Sequence, residues 1–374
     1  MMEPDIPSPL LRVLELYSGI GGMHYALKGS CIAAEVVAAV DINTVANEVY
    51  KCNFPNTCIY PKTIEGMTVD EFNKLNFDMI LMSPPCQPFT RLGAQKDILD
   101  SRTKSFLYIL ALLPSLAKPP KYILLENVKG FETSVARDKL IQTLESCRYS
   151  YQEFLLSPTL VLEQFPDHDS VEATNASSFT QTLSADDNKK KGNNSDCCTN
   201  EIISGRDETV LYKLETLRHV KRKHSQDNNS SMQMIQDFLE EELEDPSPYF
   251  IPPKSLLRYA LILDIVGQTC RRSVCFTKGY GCYMEGTGSV LKTASDVELA
   301  LVFQSFETLS EDEKLTQLAK LKLRYFTPRE IANLHGFPPE FSFPEEISLK
   351  QRYRLLGNSL NIHVVAKLIK LMVE

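Results

Sequence analysis

From residue 11 to about residue 158 the chain alternates short apolar runs with stretches of helical periodicity, and nothing else in the sequence restricts the fold as much. Arg12-Val13-Leu14-Glu15-Leu16, Glu35 to Val40, Phe77 to Met82 and Tyr122-Ile123-Leu124-Leu125 read as strands, with Tyr151 to Leu156 as a further one. Strands that alternate with helical patterns predict a parallel sheet flanked by helices, an α/β unit. Ligands of such sheets bind beyond the carboxyl ends of the strands, so the residues just after each apolar run are the ones to inspect.

Beyond this unit the composition changes. Between roughly Pro166 and Asn200 the chain is rich in Ser, Thr, Asn, Asp and Lys with almost no apolar periodicity, which predicts a disordered insertion. Residues 208 to 250 show helical patterns with a charged face, such as Met232 to Leu239, and Ser255 to Val266 reads as a helix. The glycine-rich Lys278-Gly279-Tyr280-Gly281 and Glu285-Gly286-Thr287-Gly288 read as turns in a small second domain. The expected partition is a catalytic domain over 10–165, the insertion over 166–207, a second domain over 208–325 and a C-terminal return over 326–374.

With 374 residues, 43% hydrophobic and 24% charged, the chain has the make-up of a soluble protein with a sizeable core. A formal net charge of -8 argues against a general polyanion binder, so nucleic acid must be met by a local basic surface. The 10 cysteines show no paired or repeated spacing, which predicts reduced thiols and no metal site. No apolar stretch reaches membrane-spanning length and no leader pattern opens the chain, so a cytoplasmic location without membrane contact is expected. The short basic run Lys221-Arg222-Lys223 leaves a nuclear location open.

Two strand ends carry chemistry. Ser83-Pro84-Pro85-Cys86-Gln87-Pro88-Phe89-Thr90 follows the run ending at Met82, and its prolines fix the backbone so that the Cys86 thiol is held at the end of the strand. A thiol of pKa about 8.5 becomes a useful nucleophile where nearby N–H groups or cations favour the thiolate. At the other strand end, Leu14-Glu15-Leu16-Tyr17-Ser18-Gly19-Ile20-Gly21-Gly22 runs a strand into a glycine turn and a helix from about Met23. The next strand stops at Asp41, where a carboxylate can accept both hydroxyls of a ribose. No phosphate-binding Lys follows the turn and the dinucleotide fingerprint is incomplete, which points away from ATP and NAD. A ribose acid with a short glycine loop suits a nucleoside joined to an amino acid, namely S-adenosylmethionine.

With Glu126-Asn127-Val128 after the next run, and Gln351-Arg352-Tyr353-Arg354-Leu355-Leu356-Gly357-Asn358-Ser359 near the end, the set resembles the cytosine-5 methyltransferase family. The order is the family's: glycine loop, ribose acid, Pro-Cys loop, Glu-Asn-Val, late Gly-Asn-Ser. Cys275-Phe276-Thr277 is similar to the signature of the branch that acts on tRNA-aspartate. The resemblance covers most of 10–158 and 205–374. It implies a Rossmann-like S-adenosylmethionine-dependent methyltransferase sheet with a smaller target-recognition domain. It also implies methyl transfer to C5 of cytosine 38 in the tRNA-Asp anticodon loop by a monomer, through a covalent adduct between Cys86 and ring C6. Glu126 would share a proton at ring N3. Ile20, Gly21 and Gly22 would line the methionine end of the cofactor and Asp41 its ribose; Ile64 and Glu65 would flank the adenine and Ser359 would close the pocket, with Gly357 serving that turn. Residues 87 to about 104, with Arg91, Lys96, Arg102 and Lys104, would form a mobile basic loop over a flipped-out base, and Arg271, Arg272 and Lys278 would contact phosphates. DNA is a weak second partner on this reading, because DNA cytosine-5 methyltransferases share every catalytic motif.

One family feature is missing. After Ser157-Pro158 the family continues with an Asn-Ser-Arg-x-Arg strand whose arginines support the target base and the catalytic Glu; here the chain reads Thr159-Leu160-Val161-Leu162-Glu163-Gln164-Phe165-Pro166. The gap has the form of an in-frame omission, with Leu160-Val161-Leu162 as a partial substitute strand that brings no arginine. Backbone groups left unpaired inside the sheet would cost about 1 to 3 kcal/mol each, against a total stability of about 5 to 15 kcal/mol. Strongly reduced transfer is therefore expected, and a form that binds cofactor or RNA without catalysis is the alternative from another functional class.

Overall fold

A computed structural model describes residues 10–90, 96–158, 217–303 and 306–374. The expected insertion over 166–207, the substitute strand Leu160-Val161-Leu162 and Arg91 lie outside the described residues. The apolar runs form β1 (Leu11–Leu16), β2 (Ala34–Val40), β3 (Ile59–Tyr60), β4 (Met79–Met82) and β5 (Tyr122–Leu125). All pair in parallel in the order β3-β2-β1-β4-β5. Val13, Leu14 and Leu16 of β1 and Met79, Leu81 and Met82 of β4 have no exposed surface, so these central strands are apolar on both faces instead of alternating. Helices α1 (Gly22–Gly29), α2 (Thr44–Asn53), α3 (Val69–Leu75), α4 (Lys104–Leu112) and α5 (Val135–Ser146) flank the sheet. Their starts are set locally: Asn43 caps α2, Thr68 and Glu71 form a capping box on α3, and Ser134 caps α5.

Tyr151 to Leu156 is not a strand. Among the described residues β5 is the edge of the sheet and no ladder forms with this segment. Arg137 on α5 grips Glu153 through both its Nε and its Nη2, which ties the segment to the helix instead of to β5. Tyr151, Phe154 and Leu155 consequently stand 42, 47 and 64% exposed.

The second part contains α6 (Leu217–Asp227), α7 (Pro253–Tyr259), α8 (Leu299–Phe303) and α9 (Glu311–Lys320) around a small sheet of β6 (Asp264–Val266), β7 (Ser289–Lys292) and β8 (Leu323–Arg324), β7 pairing in parallel with β6 and antiparallel with β8. Two helical expectations fail here. Ser255 to Val266 divides into α7, a 3-10 turn and β6, because the β-branched Ile265 and Val266 pair with β7 while the Asp264 carboxylate is taken by Lys223, Arg272 and Ser289. Met232 to Leu239 contains only a 3-10 turn, Ile235–Phe238; its Ile235 and Gln236 amides donate to the carbonyls of Cys270 and Gln268, outside the segment. Lys223 of the basic run is used in the same way, joining α6 to β6.

Helices α10 (Pro328–Leu334), α11 (Leu349–Leu356) and α12 (Ile362–Val373) return to the large sheet. Helices α1 and α12 pack against each other, with Gly29 of α1 beside Ala366 of α12. The buried cluster on this face is continuous from Val13 and Met23 through Ile331, Tyr353 and Val365 to Phe276 and Leu291, so one cluster joins the two sheets, while the opposite face of the large sheet and the far side of the small one have clusters of their own. A buried ion pair, Arg324 to Glu330 at 2.7 Å through both oxygens, fixes β8 to α10. Among the described residues no helix is long and apolar enough to cross a membrane.

Candidate active site

The strand order reverses between β1 and β4, and in an open parallel sheet the crevice at such a switch point is where ligands bind. The turn after β1 holds Tyr17, Gly19 and Gly21 in the left-handed region. Gly21 has φ 88° and a Cβ there would lie 2.5 Å from the Phe54 ring, so only glycine fits. Asp41, one residue past β2, is fixed by this turn: Oδ2 accepts from the Gly19 amide at 2.8 Å and Oδ1 from the Asn43 amide at 2.8 Å. Burial nonetheless raises its pKa, against the pull of those amides and that of Ile42. Gly22 begins α1 with no side-chain cap on its first amides, and a Cβ at Gly22 would sit 3.1 Å from Ser359 Oγ.

Ile20, Gly22, Asp41, Ile64, Glu65 and Ser359 all line one cleft of about 2110 Å³. Gly21 does not; its turn directs it backwards onto Phe54 and Tyr50, where it shapes the loop from behind. Ser18 Oγ, buried in the cleft wall, has no hydrogen-bond partner among the described residues, nor have Asn47 Oδ1 and Glu15 Oε1 beneath it. Uncapped helix amides, a fixed carboxylate and an orphan hydroxyl fit a ligand with a carboxylate end and a ribose.

Glu15 supports the loop from inside β1. Its Oε2 accepts from the Tyr50 hydroxyl at 2.6 Å, and Tyr50 in turn meets His24 Nδ1 at 2.8 Å. Burial pushes the Glu15 carboxyl up to about 8, although Tyr50 and the His24 amide favour its anion. Burial pushes His24, stacked on Phe54 at 3.7 Å, down to about 3. The sign of the stability effect follows. Between the ordinary 4.5 and 8 the folded Glu15 holds a proton that the unfolded chain has released, so stability falls as pH rises through that window. Above 6.5 His24 is neutral in both states and adds no slope. From pH 6.5 to 8 Glu15 is expected to remove about 2 kcal/mol, and Glu15→Gln to flatten that part of the curve. Denaturant melts across this range give the slopes, and equal slopes in the two chains would contradict the assignment.

Across the switch point the Pro84-Pro85 shelf carries Cys86, and β5 ends immediately before Glu126, whose amide donates to the Met82 carbonyl at 3.0 Å. Asn127 staples the two strand ends: its Nδ2 donates to the Pro84 carbonyl at 3.1 Å. Gly130 lets the chain pass under the shelf, since a Cβ there would meet the Phe89 carbonyl oxygen at 2.6 Å. Cys86 and Glu126 both line the cleft. Burial raises the Cys86 thiol above its usual range and Glu126 raises it further, while its own backbone amide, Lys278 and Arg102 pull it down. The local amide and the two cations are the kinds of group that favour a thiolate, and here they oppose the burial cost only in part. Burial also raises Glu126, and no side-chain hydrogen bond or ion pair reaches its carboxyl among the described residues.

The basic loop is only partly described. Arg102 is bound by Asp100 at 2.6 and 2.8 Å, and Lys104 opens α4 instead of lying in a free loop. Two expected phosphate contacts are structural: Arg272 is 10% exposed between Asp264 and Asp227, and Arg271 donates to the Met232 carbonyl. Asp264 and Asp227 hold the Arg272 guanidinium and a backbone carbonyl holds that of Arg271, pairings that the local sequence does not disclose. Lys278 does line the cleft, together with Lys254, Arg258, Lys350 and Arg354, which sequence reasoning missed because they come from three separated segments. Gly357 ends α11 where the Cys275-Phe276-Thr277 segment crosses it; a Cβ there would fall 2.2 Å from the Thr277 carbonyl carbon. The late glycine and the second-domain signature thus require each other.

A glycine loop and ribose carboxylate on one side of the switch point, facing a strand-end thiol and carboxyl on the other, define an α/β Rossmann-like methyltransferase. Residues 11–374 match the model of the C-5 cytosine-specific DNA methylases, and the chain belongs to that family. It is 57% identical over 405 aligned positions to a tRNA (cytosine(38)-C(5))-methyltransferase of Homo sapiens, covering 100% of each chain, and 38% identical to a DNA (cytosine-5)-methyltransferase of Dictyostelium discoideum, covering 97% of this chain and 94% of that one. Among solved structures, the Dnmt2 methyltransferase of S. pombe superimposes with a TM-score of 0.69 at 32% identity, covering 97% and 98% of the two chains. An alignment of 405 positions against 374 residues leaves at least 31 positions of the human protein without a counterpart here.

Proposed function

We propose that this chain is built to transfer a methyl group from S-adenosylmethionine to C5 of cytosine 38 in tRNA. The observation that carries the reading is the pairing of Cys86 and Glu126 at the ends of neighbouring strands, across the switch point from Asp41 and the α1 amides, in a cleft shared with the Cys275-Phe276-Thr277 segment. The names of the tRNA-modifying relatives support the substrate.

When bound, S-adenosylmethionine supplies the electrophilic methyl; Asp41 would hold its ribose, the first amides of α1 and Ser359 its amino-acid end, and Ile64 and Glu65 its adenine. The chain's own residues do the rest. Cys86, as thiolate, adds to C6 of the cytosine and makes C5 nucleophilic. Glu126, whose affinity for a proton burial raises, shares a proton at N3 and offsets the charge that develops in the ring during addition. Loss of the C5 proton then expels Cys86. The cleft exceeds the roughly 300–1,000 Å³ of a small-molecule site, which suits a cofactor together with a flipped-out nucleotide.

A second reading has its own observation. Glu126 has no cationic partner among the described residues and β5 is a sheet edge, which supports a form that binds cofactor and RNA with little transfer. Labelling with radioactive S-adenosylmethionine in the presence of equal tRNA and duplex DNA tests the main reading. The label is expected in tRNA and lost when cytosine 38 is replaced by uracil; preferential labelling of DNA would reject it.

A further inference from the structure

We propose that Tyr283 and Phe250 form a stacking platform for unpaired bases beside the target cytosine, an inference that rests on the RNA reading above. Four aromatic side chains are conspicuously exposed among the described residues. Tyr151 and Phe154 lie beyond β5, whereas Tyr283, 72% exposed, and Phe250, 41% exposed, both line the cleft that holds Cys86. An exposed ring facing a cleft is an unmet stacking surface.

The platform is held by its backbone and not by burial of the rings. The Tyr283 and Cys282 amides both donate to the Gly279 carbonyl at 2.9 Å, and Thr287 Oγ1 donates to the Tyr283 carbonyl at 2.6 Å. Gly281, in the left-handed region, lets this loop rest on Tyr353, where a Cβ would come within 2.8 Å of the ring. The neighbouring Met284 sulfur accepts from the Tyr325 hydroxyl at 2.7 Å. Phe250 is placed by its bridge to Arg324, and the Tyr325 amide donates to the Tyr249 carbonyl at 2.8 Å beside it. Little conformational freedom is left in this backbone to be lost when a base docks.

Charge selects the occupant. The chain is acidic overall, yet Lys254, Arg258 and Lys278 line the same cleft, and the Arg258 guanidinium lies 5.1 Å from the Tyr259 ring centre. Aromatic faces interleaved with cations match a single-stranded nucleic acid, whose bases are free to stack while its phosphates meet the lysines and arginine. Bases inside a duplex offer no free face. The platform would therefore separate a loop from a stem, a discrimination that the thiol and carboxyl chemistry does not provide.

Fluorescence anisotropy with a labelled hairpin carrying the tRNA-Asp anticodon loop, and with a blunt RNA duplex of the same stem, tests this by binding alone. Tyr283→Ala is expected to weaken hairpin binding by roughly 5- to 100-fold and duplex binding by less than about twofold, with Tyr283→Phe retaining the original affinity. Tyr151→Ala, an exposed aromatic outside the cleft, is expected to leave both unchanged. Full hairpin affinity in Tyr283→Ala, or equal losses for hairpin and duplex, overturns the platform and leaves the RNA reading standing. An unsubstituted chain that binds neither RNA overturns both.

Discussion

In a version of this chain that carries an Arg-x-Arg strand after Pro158, Cys86→Ala is expected to lower methyl transfer to tRNA by more than about 10⁴-fold, to the background of the assay. The size follows from the role: without the thiolate there is no addition at C6, and cytosine C5 is too weak a nucleophile for the remaining residues to help. Two other thiols, Cys275 and Cys282, line the cleft, but only Cys86 stands on the Pro-Pro shelf with its thiol under the influence of Glu126. The pH dependence carries the same information. Burial and Glu126 raise the Cys86 pKa, so the thiolate fraction, and with it the rate, should climb as pH rises above neutrality until the thiol is ionised. Binding of S-adenosylmethionine, measured by calorimetry, should be unchanged by Cys86→Ala, since Asp41 and the α1 amides lie across the switch point. Substantial transfer by the alanine variant would show that another group attacks the ring.

The site was legible in the sequence wherever one residue type has one reason to be there. Gly19, Gly22, Asp41 just past the end of β2, and a cysteine behind two prolines each satisfy a local geometric demand and line one crevice, while Gly21 shapes the loop from behind it. Four strands of the large sheet were equally legible, because strands of a parallel sheet covered by helices read as short, nearly continuous apolar runs. What escaped depends on partners distant in sequence. Arg271 and Arg272 look like any basic pair until Asp227, Asp264 and the Met232 carbonyl are known to enclose them. The helical period of Met232 to Leu239 is real but is overruled by hydrogen bonds to Gln268 and Cys270. Glu15 reads as the polar residue of an alternating strand, yet it has no exposed surface and is held by Tyr50. Tyr151 to Leu156 has the composition of a strand and pairs with none among the described residues.

That last failure shows the consequence of the missing segment. Adding an Arg-x-Arg strand after Pro158 is expected to raise methyl transfer at least about 10³-fold over the present chain, because removing even one preorganised donor from a developing charge costs about 10²- to 10³-fold and the family resemblance implies two such cations at this place. Glu126 shows the need for them: burial raises its pKa with nothing to oppose it, where an adjacent guanidinium would orient the carboxyl and stabilise the charge on the ring as Cys86 adds. β5 shows the structural side, since its outer backbone groups and the exposed Phe154 and Leu155 are what an added strand would cover. Parallel assays of the two chains with labelled S-adenosylmethionine and tRNA, at equal cofactor saturation, give the ratio. Equal turnover would mean that Glu126 works without a cation, and that the site is complete on the residues that line it now.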